Sequence, residues 1–226
     1  METQLLHQTD SAVRRQVMLA GVVGVLFIEY LLRNVLVPLV PTETTIRVAI
    51  GVEWALLVVL LLLWVPRVER STCTTVGIGR WRSRDLYLGA GWFFVATIVS
   101  ALVGVLLGAV GLESLADLQP QLAKYSWLTL LALAVTGPVV EEILYRGYLI
   151  ERVTKLTRRV WVAAGVSWLT FTGVHLGFFG LGATLNATVL SAALVWLYVR
   201  ERSIWPVLVL HALNSVFAYL LVPLLL

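Results

Sequence analysis

Residues 130–150 read LLALAVTGPVVEEILYRGYLI, an apolar run that contains two adjacent glutamates and an arginine. A helix that crosses a bilayer needs about 20 mostly apolar residues, and this run is long enough. Ionisable groups at membrane depth are costly and usually functional. The stretch therefore predicts a membrane-spanning helix with a candidate site at Glu141, Glu142 and Arg146.

The composition of the whole chain indicates the same class of protein. Its 226 residues are 59% hydrophobic and 13% charged, against roughly 25% charged residues in soluble domains. The net charge of +4 comes from basic residues in short loops between apolar runs, which is typical of topology signals and not of a nucleic-acid-binding face. A single cysteine, Cys73, excludes an intramolecular disulfide and a multi-cysteine metal site. We expect an all-α polytopic protein that contacts bilayer lipid and binds no nucleic acid.

Seven apolar stretches are long enough to span a membrane, and they predict seven helices in a single membrane domain that covers residues 1–226. No cleavage site follows the first stretch, so it is expected to be a retained helix and not a signal peptide. His7 lies in the polar tail before it and is assigned no role. The amphipathic segment 111–125 is expected to lie along the outer surface. The seven stretches are about 16–40, 46–65, 86–110, 126–149, 160–179, 183–199 and 204–225.

The basic residues orient these helices. If the N-terminus is cytoplasmic, thirteen Lys and Arg residues fall in cytoplasmic segments and only Arg47 and Lys124 fall outside. Because cytoplasmic loops carry the excess of basic residues, we expect a multi-pass protein of the cell membrane with its N-terminus in the cytoplasm and its C-terminus outside. The thirteen are Arg14, Arg15, Arg67, Arg70, Arg80, Arg82, Arg84, Arg152, Lys155, Arg158, Arg159, Arg200 and Arg202.

The two glutamates of the fourth helix are expected to differ. Glu142 and Arg146 are four residues apart and are neighbours on one helix face, so they are predicted to pair. Glu141 points about 100° away and is left available as a general base. Pro138, just upstream, is expected to kink the helix near this site.

Two other apolar helices also carry polar residues. His175 lies in the fifth stretch, one turn after Phe171, and the seventh places His211, Asn214 and Ser215 on one face. A single structural polar network is one explanation for these groups, and a catalytic site is the other. Elsewhere, Glu29 and Arg33 are four apart and expected to pair, and Glu53 has no evident partner.

At this point the sequence resembles a known family. Glu141-Glu142-Ile-Leu-Tyr-Arg146, Phe171-Thr-Gly-Val-His175 and His211-Ala-Leu-Asn214 are similar, in order, to the three motifs of the CAAX protease and bacteriocin-processing family, which includes the type II prenyl-protein endopeptidase. The resemblance covers about residues 86–220. One departure is that Ser215 stands four residues after His211, where the prenyl endopeptidase has asparagine.

The resemblance implies an intramembrane endopeptidase that hydrolyses a peptide bond of a membrane-associated or lipidated peptide. Glu141 would be the general base, His175 would orient the water, and His211 with Asn214 or Ser215 would donate to the oxyanion. Glu142 and Arg146 would fix the helix geometry, or Arg146 would help to position the substrate. No cofactor is expected.

Three alternatives remain open at the level of sequence. Glu141, His175 and His211 are also a set that binds catalytic zinc, although nothing resembles HExxH. A non-catalytic scaffold or immunity protein of the same fold is the alternative function. An ion-coupled transporter is disfavoured because the chain shows no internal repeat.

The predicted helix boundaries raise one conflict of depth. They place Glu141 about 10 Å from the cytoplasmic end of its helix, whereas His175 lies on the order of 20 Å from that end. The boundary of the fifth helix is the expected error.

Overall fold

Seven apolar helices pack side by side in the computed structural model, which describes the backbone of residues 2–224 and the side chains of residues 13–222 and 224. The first helix begins at Glu2, and the side chain of His7 lies outside the described residues. The apolar helices are α1 (Val13–Leu39), α2 (Glu43–Val68), α3 (Ser83–Ala109), α4 (Trp127–Thr157), α5 (Val160–Val174), α6 (Leu176–Glu201) and α7 (Trp205–Leu221).

Five of these helices are long and apolar enough to cross a membrane, and α5 and α7 are shorter. Residues 2–224 contain no strand, so the all-α membrane fold is confirmed over the described chain. The 15 residues of α5 rise about 22 Å, less than the roughly 30 Å of a hydrocarbon core. The number of spans, seven, therefore stays a prediction.

Several helices contain a wider, π-helical winding. It occupies Gly137–Ile150 of α4, and the smaller segments are Leu32–Leu36, Leu60–Val68 and Phe217–Leu221. In α4 it begins next to Pro138, whose ring removes a backbone donor from the helix. The predicted distortion at Pro138 is thus a change of winding, of the kind that often marks functional sites.

The helix ends form two opposite faces. The basic face contains the connections 69–82, 158–159 and 202–204, where Glu69 contacts Arg152 and Arg84 contacts Glu201. The opposite face contains the connections 40–42, 110–126 and 175–180. There the Glu43 carboxylate accepts hydrogen bonds from Ser126 and Thr129.

Short helices lie in the connections on both faces. Cys73–Val76 is on the basic face, and Leu115–Leu118, Gln119–Leu122 and Val222–Leu224 are on the opposite face. Large apolar side chains cover the outside of the helix bundle, and Phe94, Leu106 and Leu128 are each about two-thirds exposed. An aqueous surface would not tolerate so continuous an apolar layer, so this surface faces lipid.

The second half of α4 is the centre of the bundle, since residues 140–150 are all buried. This helix runs to Thr157 and not to residue 149, and α5 ends at Val174 and not at residue 179. Glu141 and His175 therefore each lie about fifteen residues from the 158–159 connection, on the order of 20 Å. The conflict of depth came from the predicted end of the fourth helix and not, as expected, from the fifth helix, which begins at residue 160 as predicted. The two residues lie at similar depth.

Candidate active site

Glu142 is the hub of a fully buried contact between α4 and α7. Its Oε1 accepts from Arg146 Nη1 at 2.9 Å and from His211 Nδ1 at 2.7 Å. The predicted Glu142–Arg146 pair is thus confirmed. Because an ionised carboxylate only accepts hydrogen bonds, His211 Nδ1 carries a proton. The other ring nitrogen, Nε2, is left for chemistry.

Arg146 is held on two further sides. Its Nη2 donates to Ser191 Oγ at 3.3 Å, and its guanidinium lies 4.1 Å from the centre of the Phe171 ring. Arg146 and Glu142 are completely buried. They do not line the cavity described below, so they support the site from beneath and do not contact a ligand.

Glu141 has a partner, which corrects the prediction that it is left unpaired. Its Oε1 lies 2.5 Å from Nη2 of Arg33 on α1. Its other oxygen, Oε2, lies 4.0 Å from His211 Nε2. That distance is too long for a direct hydrogen bond. One carboxylate oxygen is therefore fixed by an ion pair, and the second faces His211 across a gap.

Arg33 joins three carboxylates, and the sequence did not predict this cluster. Its Nε contacts Glu29 at 3.2 Å, the expected pair, and its Nη2 contacts Glu53 at 2.8 Å as well as Glu141. Glu29 and Glu53 are buried. Glu53, which had no evident partner in the sequence, pairs with Arg33. The sequence did contain an indication of this cluster, because Arg33, Glu29 and Glu53 are charged residues within apolar helices.

His175 lies where α5 ends and the chain turns into α6. Its Nδ1 lies 2.6 Å from the Phe171 carbonyl, as one helical turn allows, and its Nε2 lies 3.3 Å from Arg33 Nη1. A carbonyl accepts only, so Nδ1 carries the proton and Nε2 accepts from Arg33. His175 is thereby held in one neutral tautomer.

Asn34 on α1 fixes the backbone on either side of His175. Its amide nitrogen donates to the Val174 carbonyl at 3.0 Å, and its amide oxygen accepts from Gly177 N–H at 2.9 Å. A Cβ on Gly177 would come within 2.8 Å of Asn34. Further on, Gly180 adopts φ +75° and ends this irregular segment.

A cavity of about 640 Å³ brings the predicted catalytic residues together. Glu141, His175 and His211 lie on its wall, and so do both donor candidates, Asn214 and Ser215. Ser215 is buried and Asn214 is half-buried. Arg33 and Glu53 line the same space, so α1 and α2 contribute to a site that the sequence motifs assign to α4, α5 and α7.

The short helices of residues 114–122 line the end of the cavity nearest the opposite face. Asn186 on α6 accepts from Leu115 N–H and donates to the Ser100 carbonyl on α3. Ser114 donates to the Asp117 carboxylate through its backbone N–H and its hydroxyl, and these bonds hold the pKa of Asp117 below its usual range. The segment 111–125, which was expected to lie along the outer surface, thus lines the mouth of the cavity, meaning its end nearest the opposite face. It is held there by hydrogen bonds and carries a charged carboxylate.

The described residues include no group of three or more His, Cys, Asp or Glu side chains placed to hold a metal ion. His175 Nε2, the ring nitrogen that zinc would need, faces the Arg33 guanidinium. A cation bound to this nitrogen would have to displace that positive group. The donor set therefore fits a metal poorly.

These features define a multi-pass membrane protein with a glutamate–histidine site enclosed among its helices. Residues 123–217 match the family model described as type II CAAX prenyl endopeptidase Rce1-like. This match includes the three motifs and supports the resemblance of this part of the chain to the CAAX protease and bacteriocin-processing family. No curated protein and no solved structure matches the chain. Arg33, Glu29 and Glu53 lie outside the matched residues.

Proposed function

We propose that the protein is an intramembrane endopeptidase in which Glu141 activates a water molecule to hydrolyse a peptide bond. The observation that carries this proposal is the gap of 4.0 Å between Glu141 Oε2 and His211 Nε2 on the cavity wall. A carboxylate oxygen without a direct partner, facing an imidazole nitrogen, is suited to accept a proton from a water molecule between them.

The reaction needs one proton acceptor and one proton donor. The water oxygen attacks the carbonyl carbon as its proton passes to Glu141 Oε2, giving a tetrahedral oxyanion. When the carbon–nitrogen bond breaks, the proton moves from Glu141 to the leaving amine, and the products are a carboxylic acid and an amine. Arg33 keeps Glu141 Oε1 fixed at 2.5 Å during both transfers.

His211 and the α7 polar groups would stabilise the oxyanion. His211 Nδ1 donates to Glu142, and this carboxylate would stabilise the doubly protonated ring, whose Nε2–H faces the cavity and can donate to the oxyanion. Asn214 or Ser215 would supply a further donor from the next turn. One well-placed donor is worth about 3–4 kcal/mol in the transition state.

His175 would position the water, and its tautomer defines how. With Nδ1 bonded to the Phe171 carbonyl, only Nε2 faces the cavity, where Arg33 donates to it. His175 therefore holds the guanidinium against Glu141 and would position the water through Arg33, because its one acceptor lone pair is already used by that guanidinium. We favour a mechanism without metal, supported by this arrangement of Arg33.

Cleavage of defined peptides by purified protein tests the proposal. Wild type, Glu141→Gln, His175→Ala and His211→Ala are offered an internally quenched peptide library with and without a farnesyl group. Glu43→Gln, at an ion pair near the lipid boundary, is the matched control. We expect Glu141→Gln to lower the cleavage rate by about 10²–10⁴-fold and Glu43→Gln to cleave normally.

Cleavage that persists in Glu141→Gln would refute the proposed base. An intact library with wild-type protein, together with tight binding of a peptide, would support the alternative of a non-catalytic scaffold or immunity protein. Loss of activity with a chelator and its recovery with zinc would overturn the metal-free mechanism.

A further inference from the structure

Among the described residues, those that line the catalytic cavity reach only one face of the bundle, the open face. Its walls extend from Glu141 past Leu133 on α4 and Gly108 on α3 to Ala116 and Leu118 in the short helices of the opposite face. Phe178, in the connection after His175, lines it too. Every connection of the opposite face except 40–42 thus contributes to the cavity.

Between the catalytic residues and the basic face, the bundle is closely packed. Residues 140–150 are all buried, and Arg146 and Tyr148 show no exposure. Val76, in the short helix of the basic face, is also fully buried and packs on Gly147, where a Cβ would lie 2.5 Å from the Val76 carbonyl oxygen. Within the described chain, no cavity-lining residue belongs to the connections 69–82, 158–159 or 202–204.

The closed face is the face that carries the basic residues. Contacts such as Arg152–Glu69 and Arg84–Glu201 join the connections and adjoining helix ends that hold most of the Lys and Arg. The open face holds Arg47 and Lys124. Because basic loops are retained in the cytoplasm, the closed face is cytoplasmic and the mouth of the cavity is outside.

We propose that the site takes its substrate from the extracytoplasmic side and that the substrate is an apolar peptide segment exposed there. This inference rests on the proposed function for the reaction but not for the position of the mouth. The wall is mostly apolar, and its side chains include Ile46 on α2, Val105 on α3 and Phe217 on α7. A peptide that carries its cleavage site in the cytoplasm would meet the packed face formed by Val76 and Tyr148.

Cysteine labelling locates the mouth independently of activity. Cys73 is the single cysteine of the chain and is exposed on the basic face, so it is a natural reporter for that face. Ala116 is exposed at the mouth of the cavity. Ala116→Cys in a Cys73→Ser background is therefore the reporter for the opposite face. Intact cells are treated with a membrane-impermeant maleimide, and permeabilised cells with the same reagent give full labelling.

We expect Ala116→Cys to label at least tenfold more in intact cells than Cys73, and the two to label equally after permeabilisation. Labelling of Cys73 but not of Ala116→Cys in intact cells would overturn the extracytoplasmic mouth. Arg80→Cys, on the exposed part of the basic face, repeats the measurement with an introduced cysteine.

Sided cleavage then tests the substrate class. Proteoliposomes of known orientation receive an apolar quenched peptide either outside or inside the vesicle. We expect cleavage at least tenfold faster when the peptide is on the side of residue 116, and modification of Ala116→Cys with the impermeant maleimide to slow it at least fivefold. Modification of Cys73 is expected to change the rate less than twofold.

The outcomes separate the two proposals. Cleavage from the side of residue 73 alone overturns the sidedness and leaves the peptidase intact. Cleavage from neither side, or cleavage that Glu141→Gln does not reduce, refutes the peptidase, and the labelling result still decides where the cavity opens.

Discussion

Arg33 on α1 contacts Glu141 on α4 at 2.5 Å, across 108 positions of sequence. The same guanidinium contacts Glu29, Glu53 and His175. Three carboxylates therefore share one partly buried cation, and neutralising that cation would leave their repulsion uncompensated. The site depends on a helix that lies outside the residues matched by the family model.

Arg33→Gln is expected to lower both activity and stability. The variant loses the charge that restrains Glu141 Oε1, and three carboxylates are left close together without a counter-ion. Since the Arg33 side chain is 18% exposed, we expect a loss of about 2 kcal/mol, less than the 3–5 kcal/mol of a fully buried pair. We expect kcat to fall about 100-fold, which corresponds to about 2.7 kcal/mol of the barrier.

The control for this variant is Arg47→Gln. Arg47 pairs with Glu43 four residues before it, as Arg33 pairs with Glu29, but its side chain is 51% exposed. An exposed pair contributes under about 1 kcal/mol, so kcat should stay within twofold of wild type. Arg33→Lys keeps the charge but lacks the fork that reaches several partners, and it should be intermediate. If Arg33→Gln and Arg47→Gln have equal kcat, Arg33 has no role in the catalytic site.

Glu142 has a structural and a chemical role, which a pair of variants separates. Glu142→Gln leaves Arg146 buried without its counter-ion, and we expect a loss of about 3–5 kcal/mol in the free energy of unfolding. Glu142→Gln combined with Arg146→Met removes the charge as well, and apolar replacement of a buried pair is often close to neutral. The double variant should recover most of the stability, as measured by thermal unfolding in detergent.

Activity should not recover with stability. His211 Nδ1 loses its carboxylate acceptor in both variants, so kcat/KM should remain at least about 100-fold below wild type in the double variant. A double variant that is stable and fully active would mean that Glu142 serves only to neutralise Arg146.

Much of the fold follows from helix spacing and apolar length. These rules predicted the contacts correctly where both residues lie on the same helix. The spacing of Glu142 and Arg146, of Glu29 and Arg33, and of Phe171 and His175 predicts pairs on one turn, and each pair is present in the structure. Apolar length placed the seven helices within a few residues, except at the end of α4, the end of α5 and the start of α6.

The contacts between distant helices could not be predicted in this way. The sequence does not state which face of α1 meets α4, so Glu141 was expected to be unpaired and Glu53 to have no partner. Arg33 reaches both because α1 and α2 pack beside the end of α5 through Asn34 and its neighbours. A charge in an apolar helix predicts a partner, but packing alone decides which one.

The choice between Asn214 and Ser215 as oxyanion donor is open to a direct measurement. Both line the cavity, and removal of a true donor lowers kcat by about 10²–10³-fold. Because the half-buried Asn214 carries a longer donor into the cavity than a serine hydroxyl does, we expect Asn214→Ala to show that loss and Ser215→Ala to lose less than about fivefold. Leu213→Ala, an exposed position on the same helix, is the control, and a larger loss in Ser215→Ala would reverse the assignment.

Two glycines test how closely the mouth of the cavity is packed. A Cβ on Gly182 in α6 would lie 2.1 Å from the Glu113 carbonyl oxygen, whereas a Cβ on Gly165 in α5 meets nothing within 4 Å. Gly182→Ala must displace backbone, so we expect it to destabilise the protein by about 1–3 kcal/mol. Gly165→Ala relieves the cost of a helical glycine and should stabilise it by about 0.5–1 kcal/mol.

Thermal unfolding in one detergent compares the two alanine variants directly. For a chain of this size each kcal/mol corresponds to about 2–4 °C in Tm, so the two should shift Tm in opposite directions. Gly182→Ala should also slow cleavage, because moving Glu113 disturbs the segment 114–122 that Asn186 tethers over the cavity. If Gly182→Ala unfolds at or above the wild-type temperature, the connection 110–126 is not packed against α6, and the mouth has another wall.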